Sequence, residues 1–202
     1  MERGIIIVVS GPSGSGKGTV NAILRETGKY YFSVSRTTRA PRAGEVDGKD
    51  YFFVSREDFE KYIAEGDFLE YNEYCGTFYG TPKSVVEKQL AAGVDVILEI
   101  DVNGAENVKK AYPEAVLIML LPPSFSEQER RLRERGTETE EKIRKRLEAT
   151  KKELKKLDIY DYVVYNRTGH QDDAVNDILS ITKAEHCSKK RAPDAAKKYF
   201  EN

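Results

Sequence analysis

The chain has 202 residues, with 33 Lys and Arg against 34 Asp and Glu, and a formal net charge of -1. This balance argues against a general nucleic-acid binder and against adhesion to an anionic membrane. No apolar run approaches membrane-spanning length, and Met1-Glu2-Arg3 leads straight into the first apolar run, so neither a membrane anchor nor a signal peptide is expected. Cys75 and Cys187 lack metal-ligand spacing and predict reduced thiols in a cytoplasmic protein.

The first predicted elements are a buried parallel strand, a glycine-rich loop and a helix. The strand is the apolar run Ile5–Val9, and the helix starts near Val20. The loop between them has the spacing of a phosphate-binding loop, in which glycines allow close approach of an anion and Lys17 reaches the terminal phosphates. Gly18 stands where a hydroxyl residue is usual, so Thr19 becomes the candidate Mg²⁺ ligand. The predicted phosphate-binding residues are Gly11, Pro12, Ser13, Gly14, Ser15, Gly16, Lys17, Gly18 and Thr19.

An arginine-rich loop follows the second predicted strand, Tyr30–Ser35. It spans residues 36–45 and carries Arg36, Arg39 and Arg42 between Pro and Gly residues that break regular structure. A solvated charged loop is one interpretation, and an arginine clamp for a second phosphate group is the other. The phosphate-binding loop already supplies one anion site, which favours the clamp.

The next stretch is aromatic and rich in predicted strands. It contains a short helix, Arg56–Glu65, which Ser55 caps and Gly66 closes. Most aromatic residues here are expected in a small core or on a sheet face. Tyr51, Tyr79 and Glu70 are the exceptions that we select as candidate site residues.

Acidic residues end the next predicted strand. A helix over residues 82–92 precedes the apolar run 94–101, which delivers Glu99 and Asp101 at its carboxyl end, where ligands bind in open parallel sheets. Acids there can organise Mg²⁺ or orient an arginine. Helix capping is the alternative function for this pair.

The second half of the chain continues the alternation of strands and helices. A helix over 104–110, a strand over 115–121, a strand over 162–165 and a helix from 173 to about 190 precede a polar tail. Two arginine-rich helices, 126–135 and 139–157, lie between the last two strands. Most of their charges fit a solvated hairpin, and a few could face a transferring phosphoryl group from a closing lid.

These elements predict an α/β protein with the P-loop NTPase fold, in which helices cover both faces of a parallel sheet. We predict a single domain, 1–202, with a core of residues 1–35, 82–124 and 159–190. A small β-rich insert (36–81) would bind a nucleoside monophosphate, residues 125–158 would form a helical lid, and 191–202 a polar tail. A phosphate loop, a second anion site and a lid together predict a nucleoside-phosphate kinase.

The sequence closely resembles the guanylate kinase family over nearly the whole domain. The segment Ser33–Val54 carries the most specific match, with its TTR-x-PR-x-GE pattern. The other matching segments are GPSGSGKGT (Gly11–Thr19), FLEY (Phe68–Tyr71), FYGTP (Phe78–Pro82), LEIDVNGA (Leu98–Ala105) and RLRERGTETEEKIRKRL (Arg131–Leu147). The family's acidic pair is usually Asp-x-Asp, and this chain has Glu99-Ile100-Asp101.

The resemblance implies Mg²⁺-dependent transfer of a phosphoryl group from ATP to GMP, giving ADP and GDP for purine nucleotide metabolism and GMP recycling. It also implies residue roles. Guanine would contact Ser35, Glu70 and Thr81, and the GMP phosphate would contact Arg39, Arg42, Tyr51 and Tyr79. The GMP site also includes Glu99 and Asp101. Catalytic roles fall to Lys17, Arg42, Arg131, Arg135 and Arg146, and Asn166 would lie near adenine.

Three alternatives remain open from the sequence. The chain could be a kinase for another nucleoside monophosphate, or a guanylate-kinase-like scaffold that binds phosphopeptides without catalysis. A scaffold would typically have an eroded phosphate loop, whereas Lys17 and the lid arginines are present. A GTPase would need an Asn-Lys-x-Asp motif after a late strand, and the sequence has none. Whether the chain forms a homo-oligomer stays open.

Overall fold

The computed structural model describes residues 3–42, 44–74, 76–134, 136 and 139–201. Its strands are β1 (Ile6–Ser10), β2 (Tyr30–Phe32), β3 (Arg36–Thr37), β4 (Phe52–Phe53), β5 (Phe68–Tyr74), β6 (Thr77–Pro82), β7 (Asp95–Leu98), β8 (Val116–Leu121) and β9 (Tyr162–Tyr165). Its helices are α1 (Lys17–Glu26), α2 (Arg56–Ala64), α3 (Lys83–Ala91), α4 (Val102–Ala111), α5 (Phe125–Glu134), α6 (Glu140–Glu153), α7 (Gln171–His186) and α8 (Ala195–Glu201). Two 3-10 segments, Leu154–Ile159 and Lys189–Arg191, follow α6 and α7.

The main sheet is parallel and buried on both faces. In the described chain its strand order is β2–β7–β1–β8–β9. Side chains alternate across β1, so Ile7 and Val9 pack with α1 and α7, whereas Ile6 and Val8 pack with α3 and α4. The predicted α/β fold, a parallel sheet covered on both faces, is therefore confirmed.

The second sheet is formed by the insert, in the order β4–β3–β6–β5. β5 and β6 form an antiparallel hairpin, and Phe59 of α2 packs beneath it. Phe59 is fully buried, with its ring centroid 4.4 Å from that of Phe68 and 5.3 Å from that of Phe78. Ser55 caps α2 by accepting a hydrogen bond from the Asp58 N–H at 3.0 Å, as the sequence indicates. This aromatic core holds the hairpin, and with it Glu70 and Tyr79, in place.

The two arginine-rich helices, α5 and α6, pack on each other through Leu132, Ile143 and Leu147. Thr139 caps α6 by accepting from the Lys142 N–H. Arg130 and Arg133 form ion pairs with neighbouring glutamates on the exposed surface. These two charges therefore fit the solvated hairpin.

The chain end is helical rather than a plain polar tail. α7 ends at His186, four residues earlier than expected, and Arg191 then donates a hydrogen bond to the Glu114 carbonyl at 2.7 Å. Cys187 is an exposed free thiol, and Cys75 lies outside the described residues. Among the described helices, none combines the length and apolar character needed to span a membrane.

Candidate active site

The phosphate-binding loop joins β1 to α1 and leaves the helix N-terminus open. α1 begins at Lys17, three residues earlier than the sequence indicates, and no side chain caps it. Gly16, the residue before it, has a φ of 88°. The first backbone N–H groups of α1 therefore lack a capping side chain and are available to an anion.

Glycine is required in this loop for two different physical reasons. Gly14 and Gly16 have φ values of 87° and 88°, as the sequence-based argument expects. Gly11 does not have a positive φ, so that argument is wrong for it. A Cβ at Gly11 would instead lie 2.2 Å from the Leu120 carbonyl oxygen, so close approach to β8 excludes any side chain.

Gly18 is different, because its surroundings would accept a side chain. A Cβ there meets nothing within 4 Å. We expect Gly18→Ala to raise the free energy of unfolding by about 0.4–1 kcal/mol, because glycine in a helix loses more backbone entropy on folding. Gly16→Ala is the opposite case, since its Cβ would lie 2.1 Å from Asn166 Nδ2 at a positive φ. Urea denaturation of both variants measures the difference, and a destabilised Gly18→Ala would contradict this account.

The Lys17 side chain folds back over the phosphate loop. Its Nζ donates a hydrogen bond to the Gly11 carbonyl and interacts electrostatically with Glu153, at the end of α6. Burial raises the pKa of Glu153, while Lys17 partly offsets the shift. Glu153 Oε2 is buried without a hydrogen-bond partner among the described residues. Glu153 is not predictable from the sequence, because a glutamate in a highly charged helix carries no distinctive signal.

Two connected cavities lie beside the loop. The central cavity, of about 440 Å³, is lined by Gly11 and Lys17 on one side and by Tyr51 and the Glu99–Asp101 segment on the other. The insert cavity, of about 270 Å³, continues from that segment into the insert. Eight of its ten lining residues were predicted from the sequence: Ser35, Arg39, Arg42, Tyr51, Glu70, Tyr79, Glu99 and Asp101. The structure thus brings eight of the nine residues predicted to bind GMP together next to the phosphate loop, and Thr81 is the exception.

Glu70 is the buried acid of the insert cavity. Its residue exposure is 7%, and its Oε1 accepts a hydrogen bond from Thr81 Oγ1 at 2.7 Å. Burial raises the pKa of Glu70 to about 7, against the opposing effect of the Thr81 hydrogen bond. Thr81 is itself fully buried, and it is not among the residues lining the cavity. Thr81 therefore orients the Glu70 carboxylate, and its predicted contact with guanine stays a prediction.

Gly104 leaves room for Glu70. A Cβ on Gly104 would lie 3.2 Å from Glu70 Oε2, which is tight for a carbon beside a fixed oxygen. Asn72, two residues beyond Glu70 on β5, also lines the insert cavity, and its Nδ2 lies 3.4 Å from Asp101 Oδ1. The sequence analysis missed both roles, although the alternation of β5 places Asn72 on the same face as Glu70.

One arginine of the predicted clamp is held in place by an ion pair. Arg39 makes a two-pronged ion pair with Glu45, with both N–O distances 2.6 Å, and Glu45 also accepts from the Arg42 backbone N–H at 2.8 Å. This pairing lowers the pKa of Glu45 to about 2. The Arg39 guanidinium lies 5.0 Å from the Tyr51 ring centroid, and the Tyr51 and Tyr79 rings meet edge-on at 6.0 Å. Burial also raises the pKa of Tyr51, so its hydroxyl is a neutral donor at physiological pH.

The two residues of the acidic pair, Glu99 and Asp101, have different surroundings. Asp101 caps α4, with Oδ1 accepting from the Gly104 N–H at 2.8 Å. Capping is the alternative that the sequence offers for the pair, and in the structure it applies to Asp101. Glu99 is exposed to both cavities, just beyond the end of β7. Among the described residues, no three acidic, His or Cys side chains form a group that could hold a metal ion.

A third cavity, the outer cavity, lies on the other side of the loop. It measures about 300 Å³ and is lined by Gly14, Gly16, Thr19, Arg131, Glu134, Asn166, Thr168 and Gln171. Asn166 Nδ2 donates to the Ser15 carbonyl at 2.9 Å, and its Oδ1 is buried without a partner among the described residues. That acceptor could take a hydrogen bond from a ligand amine. Thr19 lines this cavity and not the central one, so its predicted contact with a metal stays a prediction.

The predicted lid arginines occupy different places. Arg146 Nη1 donates to Ser13 Oγ at 2.9 Å, which places α6 directly against the loop. Arg131 donates to the Asn166 carbonyl at 2.8 Å and to the Ser15 carbonyl at 3.3 Å, so it joins α5 to the loop beside the outer cavity. Arg135 lies outside the described residues.

A parallel sheet with a phosphate loop, a second cavity that presents two arginines, and arginine-bearing helices against the loop defines a phosphate-loop nucleotide kinase. The guanylate kinase family model matches residues 3–185 of the chain. A guanylate kinase of Clostridium tetani is 50% identical over 195 residues, which cover 96% of this chain and 93% of that protein. A guanylate kinase of Bacillus subtilis is 48% identical over 202 residues, covering 99% and 98%.

A comparison of folds also identifies a guanylate kinase as a similar protein. The crystal structure of guanylate kinase from Anaplasma phagocytophilum is similar with a TM-score of 0.76 and 36% identity, covering 94% of this chain and 90% of that one. The chain belongs to the guanylate kinase family. It is an enzyme, a nucleotide-binding kinase of the class that transfers a phosphoryl group to GMP. The resemblance identified in the sequence is therefore confirmed.

Proposed function

We propose that this enzyme transfers the γ-phosphoryl group of ATP to GMP in a Mg²⁺-dependent reaction. The observation that carries the proposal is the buried carboxylate of Glu70, in a cavity that also presents Arg39 and Arg42 and opens towards Lys17. Guanine would enter the acidic end of the insert cavity, and its phosphate would meet the arginines. ATP would lie across the phosphate loop, with adenine in the outer cavity near Asn166 Oδ1.

The chain's own residues would act mainly by position and charge. Phosphoryl transfer needs aligned reactants and neutralised oxygens more than covalent chemistry. A phosphate oxygen of GMP is the nucleophile, so no general base is required. Lys17 would leave the Gly11 carbonyl for the terminal phosphates of ATP, Arg39 and Arg42 would hold the GMP phosphate, and Arg146 would contact the transferring group.

Magnesium would be held mostly by phosphate oxygens, with Glu99, Asp101 and Thr19 as the candidate protein contacts. Oxygen donors suit this hard cation, and one or two carboxylates beside a phosphate site are its common setting. When bound, Mg²⁺ neutralises charge on the phosphates. Arg131 is proposed as an indirect contributor, since its guanidinium is engaged by the loop and β9 end. Arg135 is proposed on the family resemblance alone.

A coupled assay tests the function. ATP is supplied with GMP, AMP, CMP or UMP, with and without Mg²⁺, and ADP formation is followed. We expect turnover with GMP and Mg²⁺, and a preference over AMP of roughly 10⁴-fold in kcat/KM. Equal use of AMP would indicate a different monophosphate kinase. GMP binding by calorimetry without any turnover would indicate a binding scaffold. A place in GMP recycling and a cytoplasmic location, both expected from the sequence, stay predictions.

A further inference from the structure

A buried polar contact joins α5, α6 and the phosphate loop, away from the cavity surfaces. Gln128 of α5 is 1% exposed and Thr150 of α6 is 2% exposed. Gln128 Nε2 donates to the Ser13 carbonyl at 2.7 Å and to Thr150 Oγ1 at 2.8 Å. Buried polar groups of this kind keep a fixed geometry, because losing a partner leaves an uncompensated group in the interior.

The direction of each hydrogen bond follows from the partners. Thr150 Oγ1 donates its proton to the Arg146 carbonyl at 3.0 Å, so it must accept from Gln128. The Ser13 carbonyl can only accept. The Gln128 atom that contacts both acceptors must therefore be the amide nitrogen, which has two hydrogens to give. One amide group thus fixes the loop backbone at Ser13 and the helix α6 at Thr150.

Arg146 lies one helical turn before Thr150, on the same face of α6. Its guanidinium donates to Ser13 Oγ, the side chain of the residue whose carbonyl Gln128 holds. Gln128 also packs beside Gly14, where a Cβ would lie 3.4 Å from Gln128 Cγ. The contacts of Gln128 and Thr150 therefore link α6, and with it Arg146, to the loop backbone.

We propose that Gln128 and Thr150 are positioning residues that set Arg146 against the phosphate loop for phosphoryl transfer. This inference rests on the proposed role of Arg146 in the transfer step. Neither residue lines any of the three cavities, so neither touches substrate. They act by holding α6 in position against the phosphate loop.

Thr150→Val tests the inference, since it removes the hydroxyl and keeps the shape. We expect kcat to fall about tenfold, the scale of one lost buried hydrogen bond, with the KM for GMP within about twofold of wild type. Thr150→Ser keeps the hydroxyl and should restore most of the activity. Thr182→Val is the matched control: Thr182 is also buried in a helix and donates to the carbonyl one turn back, at 2.9 Å, but it lies in α7 beside Tyr30. It should lower the melting temperature without lowering kcat.

The decisive comparison repeats Thr150→Val in an Arg146→Ala background. If Thr150 acts by positioning Arg146, adding Thr150→Val to the Arg146→Ala enzyme should lower kcat by less than about twofold. An undiminished tenfold loss in that background would overturn the inference, as would an equal kcat loss in Thr182→Val. A normal kcat in Arg146→Ala alone would instead remove the proposed role of Arg146 and the premise with it. The two failures are therefore distinguishable.

Discussion

Lys17→Met is expected to lower kcat by roughly 10²-fold or more, the scale of removing one preorganised donor from a transition state. Lys17 stands at the N-terminus of α1 and lines the central cavity, where the phosphates of the two nucleotides would meet. Methionine keeps the length and apolar stem of the side chain and removes only the ammonium group. The loss should therefore fall on the transfer step, where charge on the phosphoryl oxygens must be neutralised.

The fold should survive this substitution. Lys17 is partly exposed, and its short contact with the Gly11 carbonyl lies on the cavity side of the loop. Lys61→Met is the matched control, because its side chain is 72% exposed on α2, away from the cavities. Steady-state kinetics and thermal melting of both variants separate the effects. A Lys17→Met enzyme with near-normal kcat would remove Lys17 from the mechanism, and a large loss in Lys61→Met would point to nonspecific damage.

The phosphate loop was predictable because its chemistry is local. The strand, the glycines, Lys17 and the helix follow each other in the chain, so spacing alone describes the site. The insert cavity was predictable for a different reason: the family resemblance covers segments that are distant in sequence, and these segments converge in space. The sequence pattern alone already selected Glu70, Tyr51 and Tyr79 as candidate site residues, and the resemblance added the roles that each is expected to have.

The missed residues act through contacts between distant segments. Gln128 donates a hydrogen bond to the Ser13 carbonyl although the two residues are far apart in the sequence, and Glu153 interacts with Lys17 from the end of α6. In the sequence, both belong to highly charged helices in which polar residues are common. Gly11 shows the same limit, because the carbonyl that excludes its side chain belongs to β8. No local pattern contains such information, since it depends on how strands and helices pack.

The boundary between Leu98 and Val102 shows what periodicity can and cannot predict. The apolar run predicts a strand that delivers two acids, and the acids do follow it. The structure ends β7 at Leu98 and begins α4 at Val102, so the strand ends three residues earlier and the helix begins two residues earlier than predicted. Asp101 then becomes the helix cap, while the exposed Glu99 also lines both cavities.

The second large effect is expected at Glu70, where Glu70→Gln should reduce the preference for GMP over AMP. Guanine presents two adjacent donors, N1–H and the exocyclic amine, and an ionised carboxylate can accept from both. Adenine lacks that pair of donors and would leave the buried carboxylate unpaired, at a cost of several kcal/mol. Glutamine keeps the shape and offers one acceptor and one donor, so it cannot match guanine in full. The ratio of kcat/KM for the two monophosphates measures the change.

The pH dependence gives the same residue a second, independent signature. The free site holds Glu70 with a pKa of about 7, because burial disfavours its charge. Binding guanine requires the ionised form, so a proton must leave whenever the pH is below that value. GMP affinity in the wild type should therefore fall as pH drops through 7, approaching about tenfold per pH unit. The GMP phosphate also titrates near pH 6, but it does so equally in Glu70→Gln, so the difference between the two proteins isolates Glu70.

The effects of Glu70 on base recognition and on folding can be measured separately. A carboxyl whose folded pKa exceeds its unfolded value binds more protons in the folded state, so burying its ionised form costs stability, and this cost grows as the pH rises towards the folded pKa of about 7 and is present in full above it. Glu70→Gln removes that cost, and its melting temperature at pH 8 should be no lower than that of the wild type. Glu73→Gln, an exposed position on the same strand, is the matched control and should change neither base preference nor pH profile. If Glu70→Gln keeps the GMP-to-AMP ratio and the pH dependence of the wild type, Glu70 does not read the base, and Ser35 and Thr81 would have to account for guanine recognition.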